Sequence, residues 1–492
     1  MNIEINVMQA LPEMILAVAG ILALVTGQFP SYTRKYRERT RSLFVKNGNF
    51  NFIKILALAG LFIALAAVVN MTADAEGAFV VDTFSIFFKI LFISASIIVV
   101  LGSLSTLKTM HESEYYSLIL FITLGMCVVA SARELILLFV GIELAGISSF
   151  ILAAYAKEDR KSSEAGIKYL IIAAVSSAIM LFGMSIVYGT TGSTNYAEIA
   201  KNITSSTTAL LGLTLIIAGI GYKITAVPFH MWAPDTYEGA PAQVSALLAS
   251  GLKKMGIAAL IPLLFIALIS MQEQWHLLFA ILAVATMVLG NIVALSQKSV
   301  KRMLAYSSIA QAGYILIGFA VATKLAVASA LFYSLAHTLM SAGTFIIIAA
   351  LVHAKMGEKL DDYAGLWKRS PFMAFAMMIL LLSLAGIPPL VGFWGKFWLF
   401  MSAVEVNMVW LAVIGVLASA LSLYYYFGVI KFMFFKEPVS REPLEIPAST
   451  VIAVAVTVLC VIILGLFPDF FMGICLDAAK NLGIIKIGRA HV

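Results

Sequence analysis

The chain has 492 residues, of which 61% are apolar and only 12% charged. That composition excludes a soluble enzyme and leaves an integral membrane protein, because no polar gap approaches the roughly 100–150 residues that a folded domain usually needs. The net charge of +7 reflects membrane topology and contact with anionic lipid and does not point to nucleic acid, since the basic residues gather on one side of the apolar runs.

Apolar runs long enough to span a bilayer fall near residues 8–28, 51–71, 79–102, 115–132, 134–155, 165–188, 208–229, 241–270, 275–296, 304–322, 325–352, 371–402, 408–430 and 447–467. They predict an all-α polytopic membrane protein with about 14 transmembrane helices. The first run has no basic region ahead of it and carries Pro12 and Glu13, so it reads as a retained helix and not a cleaved signal peptide. The connection that follows holds Arg34, Lys35, Arg37, Arg39, Arg41 and Lys46, which the positive-inside rule assigns to the cytoplasm. Alternating sides from there puts 21 of the 33 lysines and arginines inside, 6 outside and 6 in or at the edges of spans. This asymmetry predicts both termini outside.

Several spans carry ionisable residues, which are costly in hydrocarbon and therefore mark ion or proton paths. In the fifth run, LLFVGIELAGISSF, Glu143 has no basic residue within a turn on either side, so it must be protonated or paired across helices, and Lys223 of the seventh run is its natural partner. The stretch 221–256, GYKITAVPFHMWAPDTYEGAPAQVSALLASGLKKMG, places Lys223, Lys253 and Lys254 in apolar sequence interrupted by Pro228. A lysine at the bilayer centre costs roughly 2.5–3.5 kcal/mol on insertion scales, and burial disfavours the charged ammonium enough to let it exchange protons near neutrality. Snorkelling to an interface is the plain alternative. Lys253 and Lys254 stand ~100° apart on one helix, so only one is expected to face the central axis, and Lys253 is the expected relay. His337 in the eleventh run, YSLAHTLMSAG, lies between the lysine-bearing regions and is a candidate proton relay at an ordinary pKa, the plain alternative being a histidine hydrogen bonded in a helix contact. Lys396, in AGIPPLVGFWGKFWLF of the twelfth run, follows Pro388 and Pro389, which should break that helix.

The seventh and twelfth runs are thus each interrupted, each carry a lysine, and lie five helices apart. Interruptions at corresponding places point to an inverted repeat with its ion site at mid-membrane. The expected divisions are residues 1–114 for helices 1–3, 115–270 for a first repeat of helices 4–8, 271–434 for a second repeat of helices 9–13, and 435–492 for helix 14 and the tail. Cys127, Cys460 and Cys475 show no metal-ligand spacing, the six histidines are scattered, and no glycine-rich phosphate loop follows a strand. No metal or cofactor site is assigned to this chain.

The passage 221–256, the GIEL around Glu143, RMLAYSSIAQAGYIL at 302–316 and GIPPLVGFWGKF at 386–397 closely resemble the antiporter-like subunits of the proton-pumping respiratory NADH:quinone oxidoreductase, complex I. The length, the expected helix count and the VPFHMWAPDTYEGAP block are most similar to subunit N, the bacterial counterpart of mitochondrial subunit 2, and the resemblance covers nearly the whole chain. Carried over position by position, it implies Glu143 as the fifth-helix glutamate, Lys223 and Lys253 as the seventh- and eighth-helix lysines, and Lys396 as the terminal lysine of a half-channel. His337 departs from the usual pattern, and the AHTLM around it is closer to archaeal relatives such as the reduced-deazaflavin dehydrogenases. The resemblance implies a proton-translocating subunit in a prokaryotic cell (inner) membrane, partnered by other membrane and peripheral subunits. Flavin and iron–sulfur clusters would reside in those partners, and quinone would bind in a neighbouring subunit. The buried Glu and Lys residues are equally compatible with an Mrp-type cation/proton antiporter subunit. A small-solute secondary transporter predicts a midplane cavity with substrate-specific polar groups, and none stands out in the sequence.

Overall fold

In hydrocarbon every backbone N–H and C=O must find its partner within the protein, which leaves helices as the economical solution for runs as apolar as these. The computed structural model describes residues 8–27, 52–73, 77–107, 111–438, 440–480 and 482, and apart from three isolated bridges these form helices, turns and loops with no strand. The basic connection with Arg34, Lys35, Arg37, Arg39, Arg41 and Lys46, together with Lys108, Lys486 and Arg489, lies outside the described residues.

The principal helices are α1 (Leu11–Gly27), α2 (Phe52–Val69), α3 (Thr83–Ser103), α4 (Glu112–Ser131), α5 (Leu135–Ala153), α6 (Arg160–Thr191), α7 (Thr207–Ile224) and α8 (Ala242–Ala267). They continue with α9 (Gln272–Leu295), α10 (Val300–Val321), α11 (Lys324–His353), α12 (Pro371–Ala385), α13 (Val391–Glu405), α14 (Val409–Phe435), α15 (Ala448–Leu466) and α16 (Pro468–Ala478). Among the described residues twelve helices are long and apolar enough to cross a membrane, while α1 and α12 are apolar but shorter. Length and composition therefore support twelve full spans where hydropathy gives fourteen runs. The difference falls on α1, of which the 17 residues Leu11–Gly27 are described, and on the run 371–402, which the prolines divide.

Burial sorts these helices into two classes. The helix α8 is wholly enclosed by protein, and α10 and α11 almost wholly. By contrast α2, α6, α14 and α15 turn most of their surface outward, with Ile167, Leu170, Ile171, Val175 and Phe182 exposed along α6. Outward apolar faces of this extent fit lipid contact. Buried charge also ties the first helices to the body: Glu13 of α1 meets Lys89 of α3 at 2.9 Å, Lys54 meets Glu112 at 3.0 Å, and Asp82, which caps α3, meets Arg133 at 2.7 Å. Each pair joins two different elements, so removing one partner would leave an uncompensated buried charge.

Both expected interruptions are present. The helix α7 ends at Ile224, Thr225 takes a left-handed conformation (φ 61°), and the chain passes through 226–231 into a short helix, Trp232–Gly239. The backbone groups freed there are recovered by side chains: Trp232 Nε1 donates to the Tyr222 carbonyl at 3.1 Å, and the Val227 N–H donates to Thr286 of α9 at 3.0 Å. At the second break α12 closes on Gly386 (φ 87°), and α13 begins at Val391. Lys223 lies on the helix before its break and Lys396 on the helix after its own.

Candidate functional site

The chemistry at Lys396 follows from the two prolines. In an α-helix the carbonyls of Leu384 and Ala385 would accept from the N–H groups of residues 388 and 389, and both positions are proline, with no N–H to give. The buried Lys396 ammonium takes both carbonyls, at 2.9 and 3.2 Å, and donates to Ser419 Oγ of α14 at 2.9 Å. Three acceptors match the three donors of an ammonium, and the Tyr314 ring lies 4.7 Å from Nζ. With 3% of its surface exposed, Lys396 does not snorkel along the aromatic residues around it. The break itself is braced from α15. A side chain at Gly465 would come within 2.4 Å of the Pro389 carbonyl, and Trp394 Nε1 donates to the Gly465 carbonyl at 3.0 Å.

Lys223 is the opposite case. It is buried, yet its Nζ has no hydrogen-bond partner among the described residues and rests 5.4 Å from the Phe150 ring and 5.5 Å from the Tyr222 ring. Glu143 is within its electrostatic reach but not in contact: the half-buried carboxylate instead accepts from Ser177 of α6 at 2.5 Å. What makes room for the ammonium is Gly146, one turn beyond Glu143 on α5, where an added Cβ would stand 2.8 Å from Lys223 Nζ. Gly146→Ala should therefore leave the helix at least as stable, since Ala exceeds Gly by about 0.5–1 kcal/mol in a helix interior. The methyl would nevertheless take the place of the ammonium, and if Lys223 passes protons from that position, proton uptake by vesicles is expected to slow. A Gly146→Ala protein that pumps at the native rate would show that the space serves packing alone.

The two adjacent lysines of α8 do not divide as the sequence suggests. Because α8 is surrounded on all sides, a 100° step around it leads from one buried partner to another and not from core to surface. Lys253 reaches α10 and donates to Ser308 Oγ at 2.6 Å; Lys254 reaches α11, where it is hydrogen bonded to His337 Nδ1, and also donates to the Ala249 carbonyl at 2.9 Å. A π-helical turn, Leu248–Leu252, precedes them, and such turns release carbonyls from the regular ladder. Here Ala249 and Ser250 turn theirs to Lys254 and to Thr338 of α11.

Lys253, Lys254, Ser308 and His337 line one small cavity, which Ile224, next to Lys223, closes on one side. Its space is on the order of one water molecule. His337 and Ser308 also line a second cavity with Ser307, Ser341, Thr344 and Leu384, and it is the Leu384 carbonyl that holds Lys396. Gln311 donates to the same carbonyl at 3.1 Å and is bonded to Tyr333 and Tyr426. The structure thus brings Lys253, His337 and Lys396 into one polar run through the most enclosed helices. Glu143 and Lys223 lie beside it, separated by Ile224. Ser177, Ser308, Gly146 and Gln311 carry no signal in the sequence that would single them out. Lys254 is visible there, but the step around the helix argues against it.

Outside the spans, Asp235 of the short helix meets Lys168 of α6 at 2.9 Å and Arg302 of α10 at 2.8 Å, and Arg302 also meets Glu238 at 2.7 Å. Partial burial opposes the Asp235 carboxylate, but the Lys168 and Arg302 cations beside it prevail and hold its carboxyl below the usual range. These pairs fix the segment that follows the first break against α6 and α10.

A family described as NADH:quinone oxidoreductase/Mrp antiporter, transmembrane, matches residues 132–422, which include every lysine of this site. The chain is 42% identical to F(420)H(2) dehydrogenase subunit N of Methanosarcina mazei over 97% of its length and 99% of that protein. It is 41% identical to NADH-quinone oxidoreductase subunit N of Desulforamulus reducens, again over 97% and 99%. A chain of respiratory complex I from Thermus thermophilus superimposes with a TM-score of 0.79 at 28% identity, covering 94% of this chain and 98% of that one. A polytopic helical protein with enclosed lysines beside two broken helices, matched in this way over nearly its whole length, belongs to the NADH:quinone oxidoreductase/Mrp antiporter membrane family.

Proposed function

We propose that this chain is a proton-translocating membrane subunit of an NADH- or related-donor:quinone oxidoreductase, with Glu143, Lys223, Lys253, His337 and Lys396 passing protons. The observation that carries this reading is the polar run from Lys253 through His337 to the Leu384 carbonyl and Lys396, enclosed by α8, α10 and α11. Charges in such a run report on one another. Two like charges roughly 4–8 Å apart repel by about 2–4 kcal/mol at an effective dielectric constant near 20, enough to shift the protonation of a neighbour by one to three powers of ten. Loading one site therefore helps to discharge the next, and Glu143 supplies the only opposite charge named in the path.

On this reading the flavin and iron–sulfur clusters belong to partner subunits, and quinone to a neighbouring membrane subunit. The inner-side excess of basic residues supports termini outside a prokaryotic cell membrane, and the two breaks, five runs apart, support inverted repeats at 115–270 and 271–434. The family also includes Mrp antiporters, and purification separates the two readings. Gentle isolation through a tag on this chain is expected to bring flavin and iron–sulfur absorbance with it. Isolation without either chromophore, accompanied by sodium-dependent proton exchange in vesicles, would replace the redox complex with an antiporter.

A further inference from the structure

We propose that Lys254 is a further proton-carrying residue, sharing one proton with His337 and handing it from α8 to α11. This rests on the function proposed above and adds to it a group that neither the sequence nor the family resemblance assigns.

The hydrogen bond between Lys254 Nζ and His337 Nδ1 sets the chemistry. An ammonium and an imidazolium each offer only donors toward one another, so the bond exists only when one of the two nitrogens presents a lone pair. When the pair holds one extra proton, either Lys254 is an ammonium donating to a neutral Nδ1, or His337 is an imidazolium donating its Nδ1–H to a neutral amine. Transfer breaks one N–H bond and forms the other along the same line, with no change in total charge and no additional reactant.

The surroundings favour one proton over two. Both side chains are almost fully buried, at 1% and 2% exposure. The charged groups that face them are Lys253 of α8 and Lys396 of α13, both basic, and no carboxylate pairs with either side chain among the described residues. A lysine kept only for packing would not need an imidazole as acceptor, since the Ala249 carbonyl is already within 2.9 Å.

Placement supplies the direction. Lys254 and Lys253 open onto the first cavity, while His337 lines both that cavity and the second, which is also lined by Leu384, the residue whose carbonyl accepts from Lys396. A proton moved from Lys254 to His337 has reached a side chain that lines both cavities. The bond with Lys254 thus sets when His337 can deliver.

The test uses the assembled complex in proteoliposomes, with Lys254→Met, Lys254→Arg, His337→Gln and the Lys254→Met/His337→Gln double variant. Proton uptake is followed beside electron transfer to an artificial acceptor. Lys254→Met and Lys254→Arg are each expected to lower proton uptake about tenfold, short of the ~10²–10⁴-fold that a lost acid–base group commands because Lys253 opens onto the same cavity, with acceptor reduction retained. Arginine keeps the charge and can bond the Ala249 carbonyl but does not give up its proton, so a role in charge or packing alone predicts that Lys254→Arg pumps normally, and that result would overturn the proposal. The double variant is expected to be no worse than the worse single, because the two act as one unit; losses that multiply would also overturn it. Lys223→Met serves as the reference. If it pumps poorly while Lys254→Met pumps normally, only the present inference fails, whereas normal pumping by both removes the proposed function itself.

Discussion

Lys396→Arg is expected to assemble into the membrane complex and to pump protons roughly 10²-fold more slowly than the native chain, the lower end of what a lost acid–base group costs. The acceptors around Lys396 count three: two carbonyls stranded by Pro388 and Pro389, and Ser419 Oγ. They suit a charged residue of either kind. What arginine cannot do is release its proton, since its pKa exceeds ~12 in proteins. The substitution therefore keeps charge and anchoring while removing exchange. Complex content, measured by chromophore per lipid, controls for assembly, and a Lys396→Arg complex that pumps at the native rate would take Lys396 out of the path.

Glu143→Gln should produce the second large effect, a loss of pumping of at least about tenfold with electron transfer to an artificial acceptor nearly unchanged. Glutamine is close in shape, and its carbonyl can still accept from Ser177, so the α5–α6 contact at 2.5 Å survives. The negative charge within reach of Lys223 does not. Lys223 has no hydrogen-bond partner in its place between Gly146 and the Phe150 ring, and Glu143 is the acid that can draw its ammonium away from it. Without that pull the lysine has no second position. Comparison of proton uptake in Glu143→Gln and Ser177→Ala vesicles checks this account. Ser177→Ala frees the carboxylate and should retain pumping, and equal loss in both would place the role in the hydrogen bond and not in the charge.

Much of this architecture is legible in the sequence because a bilayer imposes few solutions. Apolar runs mark helices, and prolines mark breaks. Lys396 can be connected to Pro388 and Pro389 from spacing alone once the stranded carbonyls are counted. The sequence is less informative wherever the answer depends on which helix lies behind another. The step from Lys253 to Lys254 separates core from surface only on a helix with a surface, and α8 has none. Glu143 and Lys223 are natural partners by charge, but a serine on α6 and a glycine on α5 hold them apart. Neither residue type announces such a role, since serines and glycines are common in packed membrane helices. The divided run at 371–402 escapes a hydropathy average for a related reason: a window measures composition and not hydrogen-bond continuity.

The bracing of the second break by Gly465 and Trp394 bears on how a signal could travel. A hinge at Pro388–Pro389 would need clearance, and α15 lies so close that even a Cβ added at Gly465 would collide with the Pro389 carbonyl. The interruption is therefore stiff, although it looks like the loosest point of the helix. In a stiff medium a proton arriving at Lys396 alters the potential felt by its neighbours and little else, much as charge on one plate of a capacitor is felt at the other without either plate moving. On that view the helix break works as fixed wiring, and the moving parts reduce to protons and the few side-chain torsions that pass them on.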